Sequence, residues 1–105
     1  MTDKQIVLTT TGSEDEARKI AQHLVENRLA ACVNIISQVE SIYRWQGKVE
    51  SSREWLLVVK STADKFAAVR DAIRELHSYD LPECIAIAIE EGSPQYLQWL
   101  GESVG

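Results

Sequence analysis

Apolar residues recur along the start of the chain with two different periods. The run QIVLTT, Gln5 to Thr10, is rich in β-branched residues and predicts a strand, which Gly12 ends. Ser13 comes next and is followed three positions later by Glu16, a spacing typical of the capping box at a helix N-terminus. The apolar residues after it fall on one helical face: Ala17, Ile20, Ala21, Leu24 and Val25. The chain is therefore predicted to open with a strand and a helix.

A long β-hairpin is predicted in the middle of the chain. Residues 29–45 and residues 49–61 both have the composition of extended segments, and a short turn around Gly47 separates them. Ser61 or Thr62 is then the expected cap of a second helix. The apolar stripe of that helix consists of Phe66, Val69, Ile73 and Leu76.

The last part of the chain predicts a loop, a strand and a short helix. Pro82 ends the loop that starts at His77, the run CIAIAI at residues 84–89 predicts a fourth strand, and Pro94 suits the first turn of a helix. The order of elements predicts an α+β domain of the ferredoxin-like βαββαβ type, with an antiparallel sheet and both main helices on one face. Its first and third strands are expected to be central, and the short C-terminal helix must dock to be stable.

The predicted strands do not alternate between apolar and polar residues, so both faces of the sheet are expected to be covered. In the third strand, for example, all five residues of the run WLLVV, residues 55–59, are apolar. One short helix cannot cover the second face, and we therefore expect another copy of the chain to do so. The residues expected to meet that copy are the aromatic Tyr43, Trp45 and Trp55 and the small Cys84, Ala86 and Ala88.

Composition and charge narrow the possible functions. A chain of 105 residues fits one domain, residues 1–105, and its net charge of −5 argues against nucleic acid and anionic membranes as partners. No apolar run is long enough to span a bilayer and no signal-peptide core is present, so the cytoplasm is the expected location. Cys32 and Cys84 lie in apolar runs without metal-ligand spacing and are interpreted as free thiols.

The sequence lacks the motifs of common catalytic sites, such as a glycine-rich phosphate loop, a nucleophile elbow or HExxH. An acylphosphatase with this fold requires an anion-binding loop after the first strand, whereas residues 11–16 are acidic here. An RNA-binding domain with this fold needs aromatic residues on both central strands, and the first strand has none. We therefore predict that the protein is not an enzyme and has no nucleic-acid partner.

A few side chains remain that could hold a ligand. His23 falls on the polar face of the first helix and is interpreted as a surface residue. His77 either ends the second helix, where its charge suits the helix dipole, or contacts a metal ion or ligand. Metal binding would need further ligands, such as Asp80, Glu83 or a second subunit. Lys60 either packs its stem along the sheet edge or binds an anionic ligand beside the helix start.

Several segments together resemble the CutA family of divalent-cation tolerance proteins. These segments are LAACVN at residues 29–34, SIYRWQGKVE at residues 41–50, Glu54, KST at residues 60–62, LHSYDLPE at residues 76–83 and YLQWL at residues 96–100. They cover nearly the whole chain in order. A set of separated motifs in register is far more specific than any one of them.

The resemblance implies a ferredoxin-like fold that assembles as a homotrimer, similar in architecture to the PII signalling proteins. Family members are cytoplasmic, or organellar in eukaryotes, and are linked to tolerance of copper and other divalent metal ions without an established enzymatic activity. By motif matching, His77 takes the position of a proposed copper ligand. Leu76 stands where that pattern can carry a second histidine, and Thr9 stands where a cysteine ligand has been proposed.

Two functions are therefore expected. The leading hypothesis is a non-enzymatic, homotrimeric protein of divalent-metal tolerance, which binds copper or another divalent cation but does not need it to fold. The alternative is a small-molecule sensor of the PII kind, with pockets between subunits. The candidate lining residues of such pockets are Trp45, Lys60, His77, Tyr79 and Glu83.

Overall fold

The computed structural model describes residues 2–105, and its elements follow the order predicted from the sequence. The strands are β1 (Lys4–Thr11), β2 (Cys32–Trp45), β3 (Lys48–Thr62) and β4 (Ile85–Ala88). The helices are α1 (Glu14–Glu26), α2 (Phe66–Leu76) and α3 (Pro94–Ser103), and a 3-10 turn, Ala63–Lys65, precedes α2. The predicted ferredoxin-like α+β arrangement is confirmed.

The four strands form one antiparallel sheet in the order β2-β3-β1-β4, so β1 and β3 are central as predicted. Helices α1 and α2 pack on one face of this sheet and bury the main core between the two layers. The fully buried residues of that core are Val7, Ala17, Ile20, Leu24, Ala30, Leu57, Val59, Val69 and Ile73. The buried positions in β1 and β3 alternate, because successive strand residues point to opposite faces.

The strand register corrects one expectation about β4. Directly opposed residues share a face, and Val7 pairs with both Val59 and Ala86. Cys84, Ala86 and Ala88 therefore lie on the helix-covered face, where Cys84 packs against the core, and they do not line the second face. The second face carries Ile85 and Ile87 instead, whose exposed fractions are 51% and 50%. Alternation in the sequence separates Cys84, Ala86 and Ala88 from Ile85 and Ile87, but it does not say which set faces the helices. Only the pairing of β4 with β1 decides that.

Two predicted boundaries also differ from the structure. The chain from Leu29 to Ala31 is not yet strand, because the N–H groups of Leu29 and Ala30 bond back to the carbonyl of Leu24 at the end of α1. Neither Ser61 nor Thr62 caps α2, since β3 continues through both residues. The Thr62 hydroxyl instead lies 2.5 Å from a carboxylate oxygen of Asp64.

The hairpin of β2 and β3 extends beyond the rest of the sheet, which gives the molecule dimensions of 44 × 25 × 23 Å. We call residues 41–52 the hairpin arm. Its two-residue loop has φ values of 50° at Gln46 and 81° at Gly47, a pair of positive values typical of a type I′ turn. At the base of the arm, the register of β2 shifts between Ile36 and Val39, where Gln38 has a φ of 60°. This irregularity is a β-bulge.

Helix α3 docks on the second face of the sheet, as predicted for so short a helix. Leu100 is fully buried, and Gly101 approaches the side chain of Lys4 on β1. The side chain of Arg28 donates to the carbonyl oxygens of Glu102 and Gly105, at 2.6 and 3.1 Å, and so fixes the end of α3. Only one end of the second face is covered in this way. Within residues 2–105, every helix is too short or too polar to cross a bilayer.

Candidate functional site

The side chain of His77 is completely buried beside the end of β1. Its Nε2 lies 2.6 Å from the carbonyl oxygen of Thr10. A carbonyl only accepts hydrogen bonds, so Nε2 carries the proton. Its Nδ1 lies 3.1 Å from the backbone nitrogen of Tyr79, whose N–H donates to it. Both ring nitrogens are therefore engaged by the backbone, and a carboxylate oxygen of Glu16 also lies 3.4 Å from Nδ1.

This geometry disfavours the predicted role of His77 as a metal ligand. A ligating imidazole offers a free lone pair to the metal, and the only such lone pair of His77 already accepts a hydrogen bond. Across residues 2–105, no three His, Cys, Asp or Glu side chains lie close enough together to hold a metal ion. His77 instead joins the end of β1 to the loop after α2.

Glu16 on α1 fixes the same loop from the other side. The predicted capping box is half formed: the Ser13 hydroxyl accepts from the backbone N–H of Glu16 at 3.2 Å. The Glu16 carboxylate does not bond back to Ser13 but accepts from the N–H and hydroxyl of Ser78, at 3.0 and 3.2 Å. The Glu16 side chain therefore links α1 to the loop after α2 instead of capping its own helix. Together, His77 and Glu16 set the path of the chain into Tyr79, whose ring centroid lies 4.6 Å from that of His77.

Tyr79 makes a partly buried hydrogen bond to β3. Its hydroxyl donates to Oε2 of Glu54 at 2.8 Å, and Glu54 is only 7% exposed. Burial and this bond to Glu54 raise the pKa of Tyr79 to about 12, so the phenol stays protonated and continues to donate near neutral pH. Gly12 makes this approach possible, because a Cβ at that position would lie 2.9 Å from the Tyr79 hydroxyl.

Tyr79 and Glu54 line a groove of about 730 Å³ between the hairpin arm and the loop after α2. We call it the acidic groove, and its aromatic and acidic lining residues are Tyr43, Trp45, Glu50, Glu54, Tyr79, Asp80 and Glu83. Tyr43 pairs with Glu50 across the arm, so the two side chains share a face. The exposed fractions of Tyr43, Trp45 and Tyr79 are 39%, 42% and 36%, which leaves all three rings partly open to a ligand.

The groove is strongly acidic. None of its described lining residues is a lysine or an arginine, whereas four are carboxylates. Partial burial, together with the nearby charge of Glu54, raises the pKa of Glu83. Glu83 is exposed by surface area, so solvent screens part of this repulsion. The arrangement is suited to a cation and unsuited to an anion.

The structure unites some of the site residues predicted from sequence and separates others. Tyr79 and Glu83 lie in the groove with Trp45 and Tyr43. Lys60 does not, because it pairs with Ile6, four residues before Thr10 on β1, which is about 13 Å along the strand. Its Nζ donates to Oδ1 of Asn34 and lies 3.9 Å from Sγ of Cys32.

Trp55, predicted at a subunit interface, lies on the helix-covered face and packs against the chain's own core. The chain's own core therefore provides packing contacts for the Trp55 ring without a second subunit, although its buried indole N–H has no partner within residues 2–105.

Sequence reasoning did not identify Glu54 as a site residue. The sequence does hold one signal for it. Glu54 lies two residues before Leu56 and four before Val58, so it shares the second face of the sheet with them, where a buried carboxylate is unusual.

Comparisons with known proteins agree on one family. The family model described as CutA1 divalent ion tolerance protein matches residues 5–103. The divalent-cation tolerance protein CutA of Thermus thermophilus is 49% identical over 102 residues, which cover 97% of this chain and 99% of that protein. The chloroplastic CutA of Arabidopsis thaliana is 40% identical over 93% of this chain, which spans 54% of the plant protein.

The solved structures agree with the sequences. The structure of the divalent cation tolerance protein from Thermus thermophilus superposes with a TM-score of 0.95, at 49% identity over 97% of this chain and 99% of that one. A match over nearly the full length, both in sequence and in fold, leaves no large segment of residues 2–105 outside the shared domain. The chain belongs to the CutA1 divalent ion tolerance protein family.

Proposed function

We propose that this protein acts without enzymatic chemistry, as a cytoplasmic homotrimer, in the cell's tolerance of divalent metal ions such as copper. Membership in the divalent ion tolerance family supports the metal-related role. The trimer is proposed by resemblance to that family. The observation that carries self-association is the uncovered second face of the sheet.

Each of the four strands contributes apolar residues to that face. Ile6 and Leu8 on β1 lie beside Val58 on β3, and Ile36 on β2 and Ile85 on β4 extend the patch to both edges. Ile36 is 46% exposed and Ile85 is 51% exposed, which is unusual for isoleucines of a stable sheet. Helix α3 covers only one end of this face. A neighbouring copy would bury the remainder and protect the edge strands β2 and β4 from further pairing.

In this proposal the metal ion does not bind to His77 and is not required for folding, because the core is apolar. A single chain offers no three-ligand cluster within its described residues. The proposed ligands are therefore carboxylates of the acidic groove, completed by a neighbouring subunit. Oxygen ligands of this kind suit hard divalent ions better than they suit copper.

Two measurements test the proposal. Light scattering on a sizing column should give a mass close to three times 11.8 kDa. Titration calorimetry with Cu²⁺ should then show saturable binding to the trimer, with Mg²⁺ and Mn²⁺ as comparison ions. A monomeric mass would refute the assembly, and the absence of saturable binding for every ion would refute direct metal binding.

A second function is favoured by the acidic groove itself. Tyr79 and Glu83, predicted as pocket residues, lie there with Trp45. A volume of about 730 Å³ falls in the range of small-molecule sites rather than single-ion sites. A small-molecule sensor that works through this groove is therefore the alternative to a metal-binding protein.

A further inference from the structure

Glu54 is a buried carboxylate without a cationic partner. It is only 7% exposed, and one oxygen, Oε2, accepts from the neutral hydroxyl of Tyr79. The other oxygen has no hydrogen-bond donor within residues 2–105, and no lysine, arginine or histidine in that range forms an ion pair with Glu54. This free oxygen is not a fully buried atom and stays accessible from the groove. Because buried charges in proteins are normally paired, a mostly buried carboxylate whose free oxygen opens on a groove favours a cation from outside the chain.

The position of Glu50 shows what shape that cation must have. Glu50 and Glu54 lie on the same face of β3, four residues apart, and both line the groove. Strand geometry places their Cα atoms about 13 Å apart. One compact charge cannot contact both carboxylates, whereas an extended molecule with a positive centre near each end can.

The aromatic residues lie at both ends of the same path. Tyr79 adjoins Glu54 through its hydrogen bond, and Tyr43 pairs with Glu50 across the hairpin arm, with Trp45 two residues further on. Ammonium groups are attracted to aromatic faces as well as to carboxylates, and methylene chains pack against the rings. A divalent metal ion would gain nothing from these rings and would fill little of the groove's volume of about 730 Å³.

We propose that the acidic groove binds a linear organic polyamine. One ammonium group lies between Glu54 and Glu83 beside Tyr79, a second pairs with Glu50 beside Tyr43 and Trp45, and the methylene chain spans the groove between them. This inference builds on the second function proposed above, a small-molecule site in the groove. It uses the same carboxylates as the metal ion proposed above, so the two ligands compete for the groove.

Titration calorimetry with spermidine tests the proposal on the full chain. Wild type should bind spermidine saturably, and Glu50→Gln and Glu54→Gln should each weaken binding about tenfold, the equivalent of 1.4 kcal/mol. Glu50 is exposed on the arm, so its variant keeps the test valid if Glu54→Gln folds poorly. Glu75→Gln is the matched control, because it makes the same charge change on α2 outside the groove and should bind as wild type does.

Two comparison ligands separate the proposal from simple charge attraction. Butylamine, with one ammonium group, should bind at least about tenfold more weakly than spermidine, since it cannot reach both carboxylates. Mg²⁺ at matched ionic strength should not fully displace spermidine. Equal weakening by Glu75→Gln, full displacement by Mg²⁺, or no binding at all would overturn the proposal. No binding, with the oligomer mass and metal titration as expected, would refute the polyamine site alone and indicate that a basic side chain of a second copy occupies the groove.

Discussion

The imidazole of His77 donates a hydrogen bond from Nε2 to the carbonyl oxygen of Thr10 at 2.6 Å, with its side chain completely buried. The two residues are 67 positions apart, and the bond ties the end of β1 to the loop that follows α2. The loop in turn presents Tyr79 and Glu83 to the acidic groove. The residue that family resemblance marks as a metal ligand is therefore a structural support for the groove.

Replacement of His77 by alanine should destabilise the protein without changing metal affinity. The variant leaves the Thr10 carbonyl and the Tyr79 N–H without partners, at a cost of about 2 kcal/mol in the free energy of unfolding. Urea unfolding at fixed protein concentration measures that cost, and copper titration measures affinity. The control is His23→Ala, which removes the other histidine from a partly exposed position on α1 and should change neither quantity. A loss of copper binding specific to His77→Ala, in a folded protein, would restore His77 as a ligand.

The bond between Tyr79 and Glu54 should be visible in an alkaline titration. Because the folded pKa of Tyr79 is raised to about 12, above an unfolded value of about 10, the stability from its protonated hydroxyl is fully present below pH 10 and is lost as the pH rises through 12. Tyrosinate absorbance, compared with Tyr79→Phe to assign the signal, should show this late titration. Glu54→Gln removes the charge and should lower the pKa of Tyr79 towards 10. An ordinary pKa of Tyr79 in wild type would contradict the hydrogen bond to Glu54.

Gly12→Ala should disturb the same bond through shape alone. The added Cβ would lie 2.9 Å from the Tyr79 hydroxyl, so the ring must move away from Glu54. We expect the pKa of Tyr79 to fall and the free energy of unfolding to drop by about 1 kcal/mol, the worth of one hydrogen bond. Gly101→Ala is the control, because its Cβ would meet only the flexible end of Lys4. Unchanged Tyr79 titration in Gly12→Ala would show that the loop absorbs the methyl group without moving the ring.

Trp45→Ala should weaken assembly more than it unfolds the subunit. Trp45 is 42% exposed near the tip of the hairpin arm, far from the buried core, so its indole contributes little to the fold of one chain. Light scattering over a dilution series should show dissociation at higher concentrations than for wild type. Val49→Ala, which shortens a 65% exposed side chain on the opposite face of the arm, is the matched control. An oligomer that keeps its mass on dilution and merely melts earlier would count against this role for Trp45.

The order of elements could be predicted because each one carries local signals. The apolar stripe from Ala17 to Val25 predicts a helix, and the apolar runs around Val7 and Val58 predict strands. Both patterns involve only near neighbours in sequence. The central position of β1 and β3 then followed from general rules of connection. The faces of β4 did not, because only pairing with β1 turns Ala86 towards the helices.

The candidate site was predicted only in part for the same reason. Tyr79 and Glu83 come from one continuous motif, and their neighbourhood in space follows from their neighbourhood in sequence. Glu54 reaches them from 25 positions away, through a hydrogen bond that needs the loop after α2 to fold over the end of β1. The hydrogen bond of His77 was likewise unpredictable. Its partner is the backbone carbonyl of Thr10, and every residue type has such a carbonyl.

The β-bulge in β2 sets which side of the hairpin arm is aromatic. From Ile36 to Val39 the chain advances three residues while β3 advances two, from Leu56 to Glu54. The odd-numbered residues that follow, Tyr43 and Trp45 among them, therefore share a face with Glu50 and Glu54 rather than the opposite one. If β2 kept Gln38 but continued past Ile36 without the bulge, Gln38 would oppose Glu54, and Arg44 rather than the rings would share the face of the carboxylates. The unpaired extra residue in this bulge, where Gln38 has a positive φ, therefore decides whether the groove is lined by aromatic rings or by the cationic side chain of Arg44.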